Sequence, residues 1–554
     1  MVKRSLSCNQ LLKMKKNSII IVVVIAIVGI AFVLRVFLPF HHVNTDNGIM
    51  LNTVDAYYQV RYADLQPDEY FTDYFVNYPS AAQTNKVPVF SQIIQWYSSI
   101  FQIDHIAAAA QLPVVLFFLT LIAFTITSAA LFNNRFITIM SLGLVCIMPG
   151  EFLARTMLGS GDNHCWEIFL LSLIMMFSIL STRNFEIPWK AGLYFLPILV
   201  LLPLYQTSWL GARIVPVIVA VFLFVHFLMQ TTGKMRLLPI GIAIAAPAIY
   251  FAIVPATGLN AIQQFTYMFG IDSTELIGEG MPLFFTLGQI DLGTIWNYFG
   301  ITFYLALIGL GMVLFSYVKH NNTEYLFFIV WTVLILLLTL ASRRYDYYLA
   351  INVSLLTAYV VYRVFKFIAT TRYRSIQTAF LGIILVAVPL VRSSTALADS
   401  DYGIMSEDWQ ETTTWLRQYS NEQEYLTGAK GNFCVLTYRD YGYWIITVSH
   451  LPVITTPGTG EESKASKMLA EQDEQAFINK CKEEKVRFIV VSKSMTQEQM
   501  YPMLVRAGEV RIGQPFTKLE ELRNMEVNRL YDEMSNIKKV FTSTDSEVKV
   551  FEIP

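Results

Sequence analysis

Tyr438-Arg439-Asp440-Tyr441-Gly442-Tyr443-Trp444-Ile445 sets an acid and several aromatic side chains beside a glycine, in a polar region that follows a long apolar one. Aromatic walls exclude water, and a carboxylate between them accepts a hydrogen bond strengthened by that exclusion, so the stretch suits a small polar group such as a hydroxyl. The same residues also read as a buried strand-turn, with Gly442 at positive φ and Asp440 capping the turn. The surroundings of the stretch decide between a soluble domain and a membrane one.

Around it the pattern is mixed α/β. Residues 409–419 read as a helix, 433–437 and 453–456 as short strands, 464–485 as a charged amphipathic helix and 486–491 as an apolar strand. Upstream the composition changes. The 554-residue chain is 54% hydrophobic and 15% charged, which marks a membrane protein, and its charges concentrate from about residue 394 onward. The expected organisation is a multi-span membrane domain over 1–393, with outer loops 39–105, 149–164 and 254–298, followed by an extracytoplasmic α/β domain over 394–554. A net charge of −1 excludes nucleic acid as a partner. Cys8, Cys146, Cys165, Cys434 and Cys481 form no C-x-x-C pair, so neither a disulfide framework nor a thiolate metal site is indicated.

Lys3, Arg4, Lys13, Lys15 and Lys16 precede the apolar run 19–34. No small-residue cleavage site follows, so the run reads as an uncleaved first span with a cytoplasmic start. Further apolar runs begin near Ile106, Phe136, Cys165, Ala191, Val215, Leu237, Ile301, Tyr325, Tyr347 and Ile376, about eleven spans in all. Alternating sides then puts Arg135, Arg183 with Lys190, Lys234 with Arg236, Lys319, and Lys366 with Arg372 and Arg374 in the cytoplasm. The loops around Asp55, Asp162 and Glu279, and the last domain, fall outside.

The outer loops hold the candidate chemistry. Asp55 precedes an aromatic-rich helix and is either its cap or a ligand. Gly159 and Gly161 favour a non-helical turn in which Asp162 and His164 share a side, so one metal can take both, or they cap the span that follows. Converging outer acids suit a hard cation, and an imidazole is tolerated by Mn²⁺ better than by Mg²⁺ or Ca²⁺. Glu167, one turn beyond His164, either orients the imidazole or is an ordinary satisfied helix residue. Gly278 and Gly280 make a flexible arm for Glu279. Arg343 and Arg344, adjacent on the outer side, either grip a phosphate with their guanidinium forks or snorkel and pair with Asp346.

Together these segments resemble the catalytic subunit of oligosaccharyltransferase in its archaeal and bacterial single-subunit form. Tyr438-Arg439-Asp440-Tyr441-Gly442 is similar to the family's W-W-D-Y-G motif, with Tyr438 and Arg439 in place of its tryptophans. Asp55-Ala56-Tyr57-Tyr58-Gln59-Val60-Arg61 is similar to D-x-Y-Y-x-x-R, and Asn77-Tyr78-Pro79 with Val87-Pro88-Val89-Phe90 follows the loop behind it. Asp162-Asn163-His164 resembles the archaeal D-x-H form of the second acidic motif. Leu276-Ile277-Gly278-Glu279 is similar to T-I-x-E, with Leu276 for threonine, and Arg343-Arg344-Tyr345-Asp346-Tyr347-Tyr348 to R-R-F-x-Y-Y. Ser492-Lys493-Ser494-Met495 faintly traces a further motif, with serine where an acid is expected.

The resemblance implies a GT-C type membrane domain of polytopic α-helical build, about 11–13 spans, followed by a soluble α/β domain and acting as a single subunit in the cell membrane. It implies an inverting transfer of a glycan from a polyprenyl (dolichyl or undecaprenyl) phosphate or diphosphate carrier to asparagine in an Asn-x-Ser/Thr sequon of an acceptor polypeptide. Asp55 and Glu279 would act on the amide, Asp55, Asp162 and His164 would hold Mn²⁺ or Mg²⁺, and Arg343 and Arg344 would hold the lipid phosphate. Tyr438, Arg439 and Asp440 would form the sequon pocket, with Arg439 either facing solvent or pairing with Asp440 in competition with the hydroxyl. Two rivals stand beside this reading. One is a related polyprenyl-phosphate-sugar glycosyltransferase with another acceptor, which the Tyr438 and Arg439 replacements leave open. The other is a transporter, against which the acids cluster at the outer edge rather than at the midplane.

Overall fold

The computed structural model describes residues 8–45, 48–65, 72–83, 87–208, 210–230, 283, 285–286, 289–290, 292–370, 389–391, 405–422, 433–457, 462–471, 473–496, 499–508 and 536–553. The arm carrying Glu279 and the apolar runs that start near Leu237 and Ile376 lie outside the described residues. Contacts divide the chain into two compact units, one of Met1–His41, Pro113–Leu158 and Asn163–Ser400, the other of His42–Leu112, Gly159–Asp162 and Asp401–Pro554.

Lipid offers no hydrogen-bond partner, so apolar runs must satisfy their backbone internally, which a helix does. Among the described residues eight helices are long and apolar enough to cross a membrane: Ser18–Val43, His105–Phe132, Asn163–Arg183, Pro188–Ser208, Gly211–Met229, Ile301–His320, Thr323–Ala341 and Arg343–Ile368. The short run expected near Phe136 is the apolar helix Arg135–Cys146. In the first unit, Ile301–His320 packs along Asp346–Ile368. Gly309 permits that approach, since a Cβ there would lie 2.7 Å from the Leu356 carbonyl oxygen. Inside this layer the Asn352 amide donates to the Thr332 hydroxyl at 2.8 Å.

The second unit is built on a four-stranded mixed sheet in the order β1-β2-β4-β3, with β1 at Cys434–Leu436, β2 at Val486–Ser492, β3 at Lys538–Thr542 and β4 at Val548–Glu552. β1 runs parallel to β2, and β4 runs antiparallel to both its neighbours. Val490 and Val550 sit opposite each other in the centre, both fully buried. Two expectations change here. The single helix expected over 464–485 is two helices, Glu462–Leu469 and Glu474–Glu483, because Asp473 caps a new start by accepting from the Ala476 N–H at 2.7 Å. The strand expected over 453–456 reduces to one bridge between Val453 and Val435.

Sequence reading assigns loop 39–105 to the membrane domain, but residues 42–112 belong with the C-terminal segment. The backbone shows why: the Val453 N–H donates to the Phe75 carbonyl at 2.9 Å and the Tyr78 N–H to the Val453 carbonyl at 3.1 Å. Within the loop itself, Arg61 holds Asp73 by a bidentate pair at 2.9 and 3.1 Å.

Candidate active site

Asp55 lies in the first turn of the helix Val54–Asp64. The cap is Thr53, whose hydroxyl accepts from the Ala56 N–H at 3.2 Å, so that structural role does not fall to Asp55. Asp55 is exposed, and Asp162, just before the helix Asn163–Arg183, is buried. The Asn52 N–H donates to the Gly159 carbonyl at 2.8 Å, and the Gly159 N–H to the Ala110 carbonyl at 2.9 Å, which fixes the loop that carries Asp162. Both glycines are needed: Gly159 has φ +89°, and a Cβ on Gly161 would collide with the Ala109 carbonyl. Burial raises the Tyr58 hydroxyl above its ordinary value, and Tyr62, Asp55 and Asp162 raise it further, so both acids act on the same group.

His164 belongs to the membrane unit and is held by a buried network of that unit. Its Nδ1 lies 3.2 Å from Glu167 Oε2 and 3.0 Å from the Tyr347 hydroxyl. Glu167 is fully buried and accepts from the Tyr348 hydroxyl at 2.8 Å, from the Tyr347 hydroxyl at 3.3 Å and from the Asn163 amide. The Tyr205 hydroxyl donates in turn to Tyr348 at 2.8 Å. Of the two readings of Glu167, the network favours the orienting one: Nδ1 engaged by a carboxylate makes Nε2 the nitrogen suited to ligation. Among the described residues no three His, Cys, Asp or Glu side chains are gathered into a metal-binding group. Separate constraints position the candidate ligands, the glycine turn for Asp162 and the tyrosine-carboxylate network for His164.

Arg343 and Arg344 form a 3-10 turn ahead of the helix Asp346–Ile368. They line a cavity of about 100 Å³ together with Glu151, Arg155, Tyr298, Asp346 and Tyr347. Arg155 is paired with Glu151 at 3.0 Å, one turn apart. Sequence reading missed Arg155, although a third arginine, within the expected outer loop 149–164, was a visible signal. It also missed Arg35, which is fully buried and donates to the Thr156 hydroxyl at 2.9 Å and the Cys146 carbonyl at 2.7 Å. The Arg35 carbonyl accepts from the Leu158 N–H at 2.8 Å, so this residue holds the segment leading into the Asp162 loop by both side chain and backbone.

In the second unit Arg439–Tyr441 is a 3-10 turn leading into the short helix Gly442–Trp444. Gly442 has φ −56°, not the positive value of the strand-turn reading. Close packing requires it instead, since a Cβ would lie 2.5 Å from the Thr455 carbonyl oxygen. Tyr441 stacks on Trp409 with centroids 4.2 Å apart, and its hydroxyl meets those of Ser494 at 2.6 Å and Ser492 at 3.3 Å. The faint motif at 492–495 is therefore what satisfies Tyr441. Tyr438 is 2% exposed and its hydroxyl, pushed up to about 12 by burial, accepts from Arg506 at 2.8 Å. Arg439 pairs with Asp440 at 3.0 Å and with Glu462 at 2.5 Å, which settles its two alternatives in favour of the ion pair. Burial holds the Asp440 carboxyl above its ordinary value, while Arg439 and Arg506 pull it down. Finally, the Tyr58 ring meets that of Tyr443 edge-on with centroids 5.2 Å apart, joining the helix of Asp55 to the motif.

A family model described as oligosaccharyl transferase STT3, N-terminal, matches residues 74–278. Dolichyl-phosphooligosaccharide-protein glycotransferase 1 of Archaeoglobus fulgidus is 24% identical over 83% of this chain and 86% of its own length. Glycotransferase 2 of the same organism is 23% identical over 87% of this chain and 88% of its own. The structure of the archaeal oligosaccharyltransferase AglB from A. fulgidus, in complex with an inhibitory peptide and a dolichol-phosphate, superimposes with a TM-score of 0.73 at 17% identity, covering 97% of this chain and 74% of that one. The shared architecture is the GT-C type, a helical membrane domain followed by a soluble one. In its motifs and its fold the chain is similar to the oligosaccharyl transferase STT3 family.

Proposed function

We propose that this protein is an oligosaccharyltransferase, moving a glycan from a polyprenyl phosphate or diphosphate carrier to the asparagine of an Asn-x-Ser/Thr sequon on the extracytoplasmic side of the membrane. The observation that carries the reading is the Tyr58–Tyr443 junction, which builds the helix of Asp55 and the Arg439–Tyr441 turn into one unit. An acid that acts on the acceptor amide and a carboxylate that accepts the acceptor hydroxyl then share one frame. The two relatives from A. fulgidus are named dolichyl-phosphooligosaccharide-protein glycotransferases, which supports transfer from a lipid-linked oligosaccharide to protein.

An amide nitrogen is a poor nucleophile because its lone pair is delocalised. Asp55 and Glu279 accept its N–H bonds, twist the amide and localise the pair. The nitrogen attacks the sugar carbon opposite the carrier, its proton passes to a carboxylate, and the bond to the phosphate oxygen breaks, which inverts that carbon. Arg343 and Arg344, with Arg155 lining the same cavity, hold the departing phosphate. Two oxygen donors that act on one tyrosine and an imidazole anchored through Nδ1 are chemically suited to a divalent ion. Mn²⁺ or Mg²⁺ at Asp55, Asp162 and His164 would neutralise charge developing on the phosphate. Asp440 accepts the hydroxyl of the sequon's third residue.

Incubating the purified protein with lipid-linked oligosaccharide and an Asn-x-Thr peptide tests the reading: glycopeptide by mass spectrometry is the expected result. Transfer to a lipid or a hydroxyl, with none to the peptide, would instead establish the related glycosyltransferase, a reading that Tyr438 and Arg439, standing where the similar motif has tryptophans, leave open.

A further inference from the structure

We propose that Glu462 is a specificity-determining residue of the acceptor pocket, holding Arg439 so that Asp440 keeps an oxygen for the acceptor's hydroxyl; the proposal rests on the sequon reading above. Four charges alternate along one line in the second unit. Asp440 Oδ1 meets Arg439 Nε at 3.0 Å, Arg439 meets Glu462 Oε2 through NH1 at 2.5 Å, and Arg506 Nε lies 3.5 Å from the same Glu462 oxygen. Arg506 ends the line by donating to the Tyr438 hydroxyl at 2.8 Å. Two positive and two negative groups balance. Their side chains are only 15% to 34% exposed, so the pairing is screened less than a surface pair would be.

A guanidinium beside a single carboxylate closes on it as a fork, with two parallel N–H bonds to its two oxygens. Arg439 does not do this: its NH1 hydrogen-bonds to Glu462, while its Nε, though 3.0 Å from Asp440 Oδ1, makes no hydrogen bond. The other oxygen of Asp440 is thus kept out of the fork, and Arg506, by holding Glu462 and the Tyr438 hydroxyl together, keeps the restraint in place. Without the Glu462 charge, Arg439 has one acid left and closes on both Asp440 oxygens. An acceptor hydroxyl would then have to displace a charge-assisted bond. The pocket of this chain therefore works as an aspartate whose arginine is held aside by a second acid.

The test is a peptide titration on the full chain in detergent with fluorescent Asn-x-Thr and Asn-x-Ala peptides. Glu462→Gln should weaken the Asn-x-Thr peptide about ten-fold, the size of one charge-assisted hydrogen bond, and leave Asn-x-Ala unchanged. Glu462→Asp, which keeps the charge at shorter reach, should fall between the parent and Glu462→Gln. In an Arg439→Ala background, Glu462→Gln should have no further effect, since the group it restrains is gone. Equal weakening with and without Arg439 would make Glu462 merely structural and overturn the proposal. So would unchanged threonine preference in Glu462→Gln while the parent discriminates, and in that case the sequon pocket itself stands. A parent that binds both peptides equally overturns the pocket, and this proposal with it.

Discussion

Tyr58 and Tyr443 meet edge-on with ring centroids 5.2 Å apart, and Tyr443 is 1% exposed. The contact fastens the helix bearing Asp55 to the turn bearing Asp440. Tyr443→Ala should therefore cost ~3–5 kcal/mol, as emptying a buried aromatic site does, while Tyr443→Phe keeps the ring and most of the stability. Thermal unfolding in detergent reads both. A Tyr443→Ala protein as stable as its parent would show that the junction contributes nothing.

Acid should release the acceptor peptide early. Burial holds Asp440 above its ordinary 3.8, opposed by Arg439 and Arg506, with Glu462 adding to the rise. The ionised acceptor is present above that raised value and is lost as pH falls through it, so Asn-x-Thr affinity should drop at a pH above that of an ordinary aspartate. Arg439→Ala removes a lowering influence and should move the midpoint further up. The contribution to stability has the opposite sign: the folded state binds the proton more tightly than the unfolded one, so stability from this group is present below 3.8 and declines as pH rises through the folded value. Peptide titrations across the acid range give the midpoints, and a midpoint at or below 3.8 contradicts the assignment.

Glu167→Leu should hurt twice. Two tyrosine hydroxyls and an imidazole nitrogen lose their common acceptor, at ~1–3 kcal/mol for each buried group left unmatched. Loss of the orienting carboxylate should also weaken Mn²⁺ binding roughly 10- to 100-fold. Unfolding measurements and Mn²⁺ titration by electron paramagnetic resonance separate the two effects. Stability lost with Mn²⁺ affinity intact would leave Glu167 a packing residue.

Asp55→Ala and Asp162→Ala should each abolish glycan transfer, and a chelator should do the same until Mn²⁺ or Mg²⁺ is restored. Transfer that persists at full rate in the chelator would remove the metal from the mechanism. Glu279→Gln should slow turnover far more than it weakens peptide binding, because the lost charge acts in the transition state.

What sequence alone determined here is whatever a residue decides with its near neighbours. A run of some twenty apolar residues can only be a helix in lipid, so the spans from Ser18–Val43 to Arg343–Ile368 were legible. So was the turn before Asp162, because Gly159 needs its positive φ whatever surrounds it. Tertiary structure alone decided the rest. Glu167 looks like any helix residue until Tyr347 and Tyr348, some 180 positions away, close over it. Gly442 looks like a turn glycine, yet it is there because the Thr455 backbone leaves no room for a Cβ. Loop 39–105 reads as part of the membrane domain until Phe75 and Tyr78 pair with Val453. Arg439 is a bare substitution in a motif until Glu462 arrives from another helix to hold it. Period and propensity report a residue's own backbone, whereas a buried charge or a close approach is set by partners distant in the chain, whose spacing in sequence leaves no period to read.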